Sequence, residues 1–448
     1  MTAARTLADF AVNLKFEEIP QTVVERAKDC VIDIVGVCWF GSTVASSRPV
    51  LDYVERYGKG GRSTVLGTAL KVQAPMAALA NGVFAHSFEM DNLVSPSVGI
   101  HPGASLLPPA LAVAEEGQTS GRDFITAFVA GFEVLHRIGD AALETAEKLG
   151  FHSPGVTGPF GGAIVAGRLL NLNVEQMTNA LGIAGSLSSG VLEFAKSGGG
   201  TVKRLHLGHG AQSGVMAAML ARDGFAGPAT ILEGKFGFLN VFCSDRDPKR
   251  LTAGLREQWK TTHLMFKRYS CHISAHVPVT ALLGLKSRYG FAGSDVESII
   301  VAGSEKMLSH HNITEPGDIA TAQYSTPFCV ALACYADPRD PAAFSEAALN
   351  DRAIRGLCRK VKLDLLHPAR AGNRLASRVT VRLKDGREVT EEIDHFPGMP
   401  QQPLDRAALR EKFETITAGL RQGRPATLFD AVASIESVAD IATVAWAV

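Results

Sequence analysis

The chain has 448 residues, of which 46% are hydrophobic and 20% are charged, as is typical of a globular protein with large cores. Its 45 basic and 45 acidic residues cancel, which argues against a nucleic acid or an anionic membrane surface as the main partner, although one pocket can still be basic. The length predicts two domains.

The first 265 or so residues predict one helix after another. Pro20, Pro75 and Ser120 each precede an apolar run, in the positions where Pro and Ser commonly start helices. Several of the runs are rich in Gly and Ala and are apolar on nearly every face, which indicates buried, closely packed helices. We therefore expect a compact, all-helical core.

The pattern changes towards the C-terminal third of the chain. Residues 296–301 are β-branched and alternate, and residues 377–383 alternate cleanly. A turn with Asp385 and Gly386 follows, and residues 388–393 then run back. An Asp-Gly pair between alternating runs predicts a β-hairpin.

Residues 271–288 and 320–335 are predicted to be helices between the strands. The fold class expected is therefore mostly α: a large all-helical domain plus a smaller α+β lid domain with an antiparallel sheet. We expect the helical domain to comprise residues 1–266 and 401–448, and the lid domain residues 267–400.

The seven cysteines are scattered through apolar surroundings and form no C-x-x-C pair. We expect reduced, mostly buried thiols in a cytoplasmic protein. The first residues lack the apolar core and the cleavage site of a signal peptide. No run of about 18 uncharged apolar residues is present, so no membrane span is predicted.

Four stretches could carry chemistry, and residues 198–211 are the first. Lys203, Arg204, His206 and His209 lie there among Gly and small apolar residues. Backbone that a ligand can approach closely, with cations beside it, suits an anionic small molecule. The alternative is a glycine hinge that leads into a helix with a basic first turn.

The second stretch runs from His86 to Asn92 and continues to residues 101–103, at the end of an apolar helix. Imidazoles and carboxylates in such a position can transfer protons. The alternative is a polar C-terminal turn followed by a solvated loop.

The third stretch is residues 150–162. A helix is predicted to start near Thr157 or Pro159, so that its N-terminus could face an anion with His152 beside it. The alternative is that His152 is a structural histidine.

The fourth stretch, residues 265–276, lies at the predicted domain boundary, and ligands often bind in clefts between domains. Lys267 and His272 are therefore candidates. His272 and His276 would share a helix face, but no third ligand of matching type accompanies them.

Other functional classes lack a sequence pattern. His310 and His311 are expected at the surface, and no metal is predicted. The glycine-rich tracts follow no predicted strand and match no dinucleotide or P-loop motif, and no G-x-S-x-G is present. Neither nucleotide binding nor a hydrolase triad is indicated.

These four stretches, in this order, resemble the MmgE/PrpD family. The similarity covers nearly the whole chain and is most specific in the run that begins KRLHLGHGAQSG and ends ILEGKFGF. It implies a large helical domain that is discontinuous in sequence, a smaller lid domain and a homodimer. It also implies catalysis without metal or organic cofactor at the cleft between domains, on small di- and tricarboxylates, by proton abstraction α to a carboxylate.

The resemblance further implies six site residues: the catalytic candidates Lys267, His152, Asp91, His101 and Lys203, and the substrate-binding candidate His272. Three more residues are substrate-binding candidates from the sequence itself: Arg204 and Arg268, which adjoin the two lysines, and Tyr324. Two pairs are candidates for moving the proton between opposite faces of the carbon: Lys267 with His152, and Asp91 with His101.

One departure from the family pattern bears on the reaction. Lyase members often have D-x-D-D-T-x-x-H, where this chain has Asn92 for the second Asp of the pair, Leu93 for the Thr, and Ser95 near the place of the His. Dehydration needs an acid for the leaving hydroxide and decarboxylation needs a placed carboxylate clamp, whereas epimerisation needs only a base and an acid on opposite faces.

The pattern therefore favours an iminodisuccinate-type epimerase of a small dicarboxylate. The first alternative is a 2-methylcitrate-dehydratase-like lyase, either dehydratase or decarboxylase, on a small tricarboxylate. The second is a catalytically silent helical scaffold or carboxylate sensor, in which Lys203 and Lys267 would be dispensable.

Overall fold

The computed structural model describes residues 1–94, 99–197, 200–367, 374–420 and 424–447. These residues form two compact units. Unit 1 comprises Met1–Ser87, Asp91–Met265 and Arg406–Val448, and unit 2 comprises Phe88–Met90 and Phe266–Asp405.

Unit 1 is helical, as predicted, with two small two-stranded sheets that were not predicted. Its helices are α1 Ala3–Asn13, α2 Gln21–Thr43, α3 Arg48–Tyr57, α4 Ala74–Ala85, α5 Pro102–Ala114, α6 Gly121–Ala141, α7 Ser153–Leu169, α8 Val174–Ser186, α9 Phe194–Ser197, α10 Val202–Arg222, α11 Phe238–Phe242, α18 Arg406–Thr417 and α19 Arg424–Ala433. Its strands are β1 Ser63–Thr64, which pairs with β2 Lys71–Val72, and β3 Leu93–Val94, which pairs with β4 Leu264–Met265.

Glycines let the central helices of unit 1 approach closely. A Cβ added to Gly214 of α10 would lie 2.5 Å from the backbone of Gly162 in α7. A Cβ added to Gly82 of α4 would lie 2.8 Å from the backbone of Gly208 in α10. Helix α10 therefore packs against both α4 and α7 at backbone contact, which explains the small residues in these runs.

Two local predictions in unit 1 need correction. Helix α7 begins at Ser153, not near Thr157 or Pro159, and Pro159 lies inside it. Pro154 explains the earlier start, because the first turn of a helix tolerates a residue without a backbone N–H.

Helix α10 begins within the first candidate stretch. Its first turn contains Lys203 and Arg204, so the described part of that stretch is mainly helix, as the hinge alternative expected. Residues 198 and 199 lie outside the described residues.

Unit 2 contains one four-stranded sheet and short helices, which confirms the predicted α+β class. The strands β5 Val296–Gly303, β6 Val361–Leu365, β7 Ser377–Leu383 and β8 Glu388–Ile393 are arranged in the order β6-β5-β7-β8. The helices are α12 His276–Tyr289, α13 Glu305–His310, α14 Ile319–Tyr324, α15 Thr326–Tyr335, α16 Glu346–Asn350 and α17 Arg352–Cys358.

The predicted hairpin is present. β7 pairs antiparallel with β8, and Gly386 takes the left-handed conformation in the turn (φ +90°). β5 is antiparallel to β7 but parallel to β6, so the sheet is mixed rather than purely antiparallel. The helix predicted over residues 320–335 is divided at Ser325, whose hydroxyl caps α15.

All seven cysteines are buried and free, as expected. Among the described residues, no single helix is long and apolar enough to cross a membrane. One bent pair, Gln21–Thr43 with Ala45–Tyr57, meets the length and composition test only when the two parts are combined across an 86° bend.

Candidate active site

Three histidines of unit 1 lie at helix ends. His86 is the residue after α4, His101 precedes α5, and His152 precedes α7. A proline in the first turn of both α5 and α7 suits helix initiation directly after the histidine. The local sequence thus places each imidazole at a chain reversal rather than along a helix face.

Asp91 joins two of these histidines. Its Oδ2 lies 2.6 Å from Nδ1 of His101 and 2.9 Å from Nδ1 of His86, and the two rings meet edge to face with centroids 4.7 Å apart. We assign Nδ1–H donation from both rings to the carboxylate, which leaves Nε2 of each ring as the basic nitrogen. Two imidazoles oriented by one buried carboxylate are suited to proton transfer.

Burial sets the charge state of His86. It lowers the pKa of His86 to about 4, although Asp91 opposes the change and Lys203 adds to it. His86 is therefore neutral at pH 7. Its Nε2 is buried and has no hydrogen-bond partner among the described residues, an arrangement that a bound polar group would satisfy.

His152 forms a second imidazole pair with His206 of α10. Their Nδ1 atoms are 3.0 Å apart, and the His152 ring centroid lies 6.1 Å from that of His86. Burial, with the charge of Lys203 next in importance, lowers the pKa of His152 well below its usual 6.5. His152 is thus a neutral base or, once protonated, a strong acid.

Lys203 and Arg204 have different surroundings. Lys203 is buried in the first turn of α10, and its charge acts on both His86 and His152. Arg204 donates from Nε to the carbonyl of Ser87, at 2.8 Å, so one of its roles is to hold the backbone beside His86.

The electrostatics of this group favour an anion. The N-termini of α5 and α7 carry His101 and His152, and the N-terminus of α10 carries Lys203. Helix N-termini present unpaired N–H groups and a partial positive charge. Together with Lys203 they suit carboxylate groups of a substrate.

A cation would also find ligands here. One ligand atom from each of His86, Asp91 and His101 lies within 4.8 Å of the others. The two imidazole–carboxylate hydrogen bonds account for that spacing by themselves, and we interpret the group as a hydrogen-bonded triad. No metal is assigned to it.

Unit 2 carries a second cluster, around Lys267. Its Nζ lies 3.0 Å from Oε2 of Glu89, and both side chains are buried. Glu89 has a positive φ of +57°, which is uncommon for a residue other than glycine and marks a constrained backbone. The amide of Gln323 donates to the carbonyls of Phe88 and Ser270, which fixes the segment that carries Glu89.

His272 lies in the same unit, stacked on His311 with ring centroids 4.1 Å apart, and Tyr324 is the next ring at 5.0 Å. The expectation that His311 lies at the surface is wrong. It is 3% exposed, its Nδ1 donates to the carbonyl of Tyr324, and burial lowers its pKa to about 4. Arg268 is half-buried, and its charge acts on Tyr269.

The predicted common helix face of His272 and His276 is also wrong. His272 accepts a hydrogen bond from the Ser274 N–H in a cap, whereas His276 begins α12. His276 is fully buried and its Nδ1 contacts the Cys271 thiol at 3.7 Å.

The structure adds three residues that were not among the predicted catalytic and substrate-binding residues: His86, Glu89 and His206. All three lay inside candidate stretches. His86 is five residues before Asp91, and Glu89 is two before it. Within a loop, however, no sequence spacing shows which of the neighbouring side chains contact the site residues. His206 is one turn after Lys203 on α10, a relation that only the helix start at Val202 defines.

Asn92 has a structural role. Its Oδ1 accepts from the N–H of Gly103 in the first turn of α5, and its Nδ2 donates to Asp33, each at 2.9 Å. The side chain is fully buried. Asn92 therefore caps α5, and its replacement of the usual Asp is explained by these contacts. Ser95, the other position in that comparison, lies outside the described residues.

Two family models together match most of the chain. The MmgE/PrpD N-terminal domain matches residues 5–251, and the MmgE/PrpD C-terminal domain matches residues 269–433. The chain belongs to the MmgE/PrpD family. The predicted family is thereby confirmed.

Named relatives in the MmgE/PrpD family include decarboxylases. The chain is 30% identical to cis-aconitate decarboxylase of Aspergillus terreus (strain NIH 2624 / FGSC A1156) over 467 residues, which cover 97% of this chain and 93% of the relative. It is 28% identical to human cis-aconitate decarboxylase over 415 residues, covering 89% and 84%. These names place the chain among enzymes and favour the lyase alternative over the epimerase.

Proposed function

We propose that this MmgE/PrpD protein is a lyase that decarboxylates a small unsaturated tricarboxylate of the cis-aconitate type. The observation that carries the proposal is the group of two imidazoles and one buried lysine at the N-termini of α5, α7 and α10. Such a group binds carboxylates and supplies a proton in one place. The names of the relatives support the choice of substrate.

The proposed decarboxylation requires few catalytic side chains. The bond between the carboxylate carbon and its neighbour breaks, its electron pair forms a new C=C bond, and the electrons of the old C=C bond take up a proton at the far carbon. Carbon dioxide leaves, and no redox change occurs. Protonated His152 is the proposed proton donor, and Lys203 is the proposed stabiliser of the charge that develops.

The triad has a complementary role in this proposal. Asp91 keeps His101 in the tautomer with a basic Nε2, which can accept a hydrogen bond from a protonated substrate carboxyl or hold a water. Lys267 and His272 stay candidates on the strength of the family resemblance. Arg268, next to Lys267 in the sequence, and Tyr324, whose ring lies beside that of His272, stay candidates for substrate binding.

A second candidate is the iminodisuccinate-type epimerase. Leu93, where lyase members often have Thr, favours it. Asn92 no longer does, because its contacts to Gly103 and Asp33 explain it structurally. A dehydratase of the 2-methylcitrate type is a further lyase form and would release water instead of carbon dioxide.

Purified protein with cis-aconitate in D2O tests the proposal. We expect release of carbon dioxide and one deuterium at the newly protonated carbon of the product, followed by ¹H NMR. Lys203→Met should lower the rates of both by about 10²–10³-fold, and Lys235→Met, at an exposed lysine, should change neither. If no carbon dioxide is released, and a single stereoisomer of a dicarboxylate exchanges deuterium at its α-carbon, the lyase proposal is wrong and the epimerase proposal takes its place.

A further inference from the structure

Asn92, the residue after Asp91, binds the start of α5. Its Oδ1 accepts from the backbone N–H of Gly103 at 2.9 Å, and Gly103 lies two residues after His101. This hydrogen bond and the 2.6 Å contact between Asp91 and His101 therefore join the same two segments of the chain. A Cβ on Gly103 would lie 2.7 Å from both Oδ1 and Nδ2 of Asn92, so glycine is what allows this close approach. The Asn92 amide thus helps to set the distance between the Asp91 carboxylate and the His101 ring.

Three partners determine the orientation of the Asn92 amide. Its Oδ1 accepts from Gly103 and from the Cys30 thiol, whose Sγ is 3.4 Å away. Burial raises the pKa of Cys30 well above its usual value, so the thiol keeps its proton. The amide Nδ2 donates to Oδ2 of Asp33 at 2.9 Å. A flipped amide would direct its N–H groups at two donors, and the acceptor at position 33 is what the observed orientation satisfies.

Asp33 supplies that acceptor from α2, and Lys412 of α18 holds it. The Nζ of Lys412 lies 2.5 Å from Oδ1 of Asp33, and the two side chains are 7% and 0% exposed. Burial raises the pKa of Asp33, and the neighbouring Asp91 adds to the rise. The charge and the hydrogen bond of Lys412, with the hydrogen bond from Asn92, oppose it. Lys412 therefore stabilises the carboxylate form, which only accepts hydrogen bonds.

The buried ion pair has a role that apolar side chains could not fill. Replacing such a pair with apolar side chains of similar volume often leaves stability unchanged or higher, so stability alone does not account for Asp33 and Lys412. An apolar side chain at position 33 would leave Nδ2 of Asn92 buried without its acceptor. The disturbance would fall on the contact between Asn92 and Gly103, beside His101.

We propose that Asp33 is a positioning residue for the Asp91–His101 pair. It acts through the Asn92 amide and depends on Lys412 as its counter-charge. Without the acceptor, the amide loses its orientation and the start of α5 shifts relative to Asp91. The loss of turnover expected from that shift rests on the proposed function, in which Asp91 orients His101. Asp33 and Lys412 lie outside the four candidate stretches, so only the folded chain reveals this role.

Two double variants test the role, because both delete the buried ion pair and only one deletes the acceptor. Asp33→Leu, Lys412→Met removes the acceptor, whereas Asp33→Asn, Lys412→Met keeps an amide oxygen that can accept from Asn92. With cis-aconitate we expect the leucine variant to lower kcat by about 10²-fold, the cost of a misplacement of about 1 Å. The asparagine variant should keep kcat near that of the unaltered enzyme. Asp33→Ala, Lys412→Met, which cannot overpack the site, should match the leucine variant and replaces it if that variant does not fold.

Lys28→Met is the control for the loss of a buried lysine between α2 and the C-terminal segment. Lys28 is 3% exposed and pairs with Glu25 at 2.9 Å and with Glu436 at 2.8 Å. This variant should leave kcat unchanged. Equal kcat in the leucine and asparagine double variants would overturn the positioning role. A kcat that simply follows the urea unfolding midpoint across all the variants would overturn it as well and make the ion pair a purely structural one.

A measurement without substrate separates this proposal from the proposed function. In ¹H NMR, the Nδ1–H of His101 should give a far-downfield signal, because it donates to the Asp91 carboxylate over a short distance, and His101→Gln identifies the signal by its loss. We expect the same signal in the asparagine variant and a shifted or broadened one in the leucine variant. An unchanged signal in the leucine variant refutes the positioning role, whatever the substrate. An altered signal there, with no decarboxylation by the unaltered protein, would refute the proposed function and leave the positioning role standing.

Discussion

Lys203 places a positive charge beside two imidazoles that burial keeps neutral. A buried ammonium is costly, and a bound carboxylate would offset part of that cost. The functional interpretation of Lys203 depends on its burial and on the action of its charge on His86 and His152.

We expect Lys203→Met to lower kcat/KM by about 10²–10³-fold, the loss typical when one charge-stabilising group is removed. The methionine keeps most of the aliphatic volume, so the thermal unfolding midpoint should not fall. Steady-state kinetics with cis-aconitate and a melting curve measure the two effects. A variant with full activity would support the scaffold or sensor alternative.

Asn92 belongs to the interior rather than to the chemistry. Its amide donates to Asp33, which also pairs with Lys412 at 2.5 Å, and all three side chains are buried. Burial raises the pKa of Asp33 in spite of Lys412. A second carboxylate at position 92 would therefore face another acid in a site that already resists charge.

Asn92→Asp should consequently lower the free energy of unfolding by about 2 kcal/mol, the typical cost of disturbing a buried hydrogen-bonded group. Urea unfolding measures it, and Asn312→Asp at an exposed position serves as the control. Unchanged stability with a gain in dehydration or decarboxylation would show instead that position 92 supplies an acid to the reaction.

At the scale of elements, helix ends position the candidate site residues of unit 1. α4 ends, and α5 and α7 begin, at the histidines of the candidate site, while glycine contacts set the separation of α4, α7 and α10. A helix face would spread these side chains over several turns. Helix ends bring them together at the positive ends of the helix dipoles, which favour carboxylates.

Helix α6 carries a buried histidine, His136, that makes the stability of the folded chain depend on pH. His136 is buried, and neither ring nitrogen has a hydrogen-bond partner among the described residues. Burial, followed by the charges of His263 and Lys260, lowers its pKa from 6.5 to about 3. The unfolded chain therefore binds this proton first as the pH falls, and the folded state loses stability below pH 6.5.

We expect His136→Phe to remove this loss. The difference in free energy of unfolding between the variant and the unaltered chain should be about 2 kcal/mol larger, in favour of the variant, at pH 5 than at pH 7.5. The reason is that pH 5 lies 1.5 pH units below the unfolded pKa of 6.5, and each unit contributes about 1.36 kcal/mol. Denaturant unfolding at the two pH values checks it, with pH 7.5 as the internal reference. An equal difference at both pH values would mean that His136 is protonated in the folded state.

At the scale of the whole molecule, α10 presents two pairs of exposed apolar side chains to solvent, with the half-buried His209 between them. Val202, Leu205, Met216 and Leu220 are 38–42% exposed. Their spacings of 3, 11 and 4 residues put all four on one side of the helix. A surface of this kind is suited to a second copy of the chain, because a two-fold axis lets one such surface cover its equal.

The homodimer implied by the family resemblance is thus a prediction with a defined interface. Light scattering after size exclusion should give twice the chain mass of 47.5 kDa. The double variant Met216→Glu, Leu220→Glu should give the monomer mass, and Tyr57→Glu, at another exposed apolar position, should leave the dimer intact. A monomer of the unaltered chain, or a dimer of the double variant, would contradict this interface.

Much of the molecule follows from the sequence alone. Helices rich in Gly and Ala, the hairpin around Gly386 and the family motifs are local patterns, and local patterns depend on backbone preferences and periodicity that neighbouring residues share. They predicted the fold class, the family and the stretches that hold the candidate residues. The sequence did not predict the parallel strand β6 or the start of α7, because strand pairing and helix initiation depend on contacts or turns outside the local hydrophobic pattern.

Only the tertiary structure decided which side chains within those stretches face one another. The 2.6 and 2.9 Å contacts of Asp91, the His152–His206 pair and the cap made by Asn92 join residues from different helix ends, and no spacing in the sequence encodes such distances. Burial decided the protonation states of the histidines, since a histidine titrates near pH 6.5 in water and far below it only where packing removes the water. The sequence alone thus determined that imidazoles and lysines are present, and packing decided which of them stay neutral and which can exchange a proton.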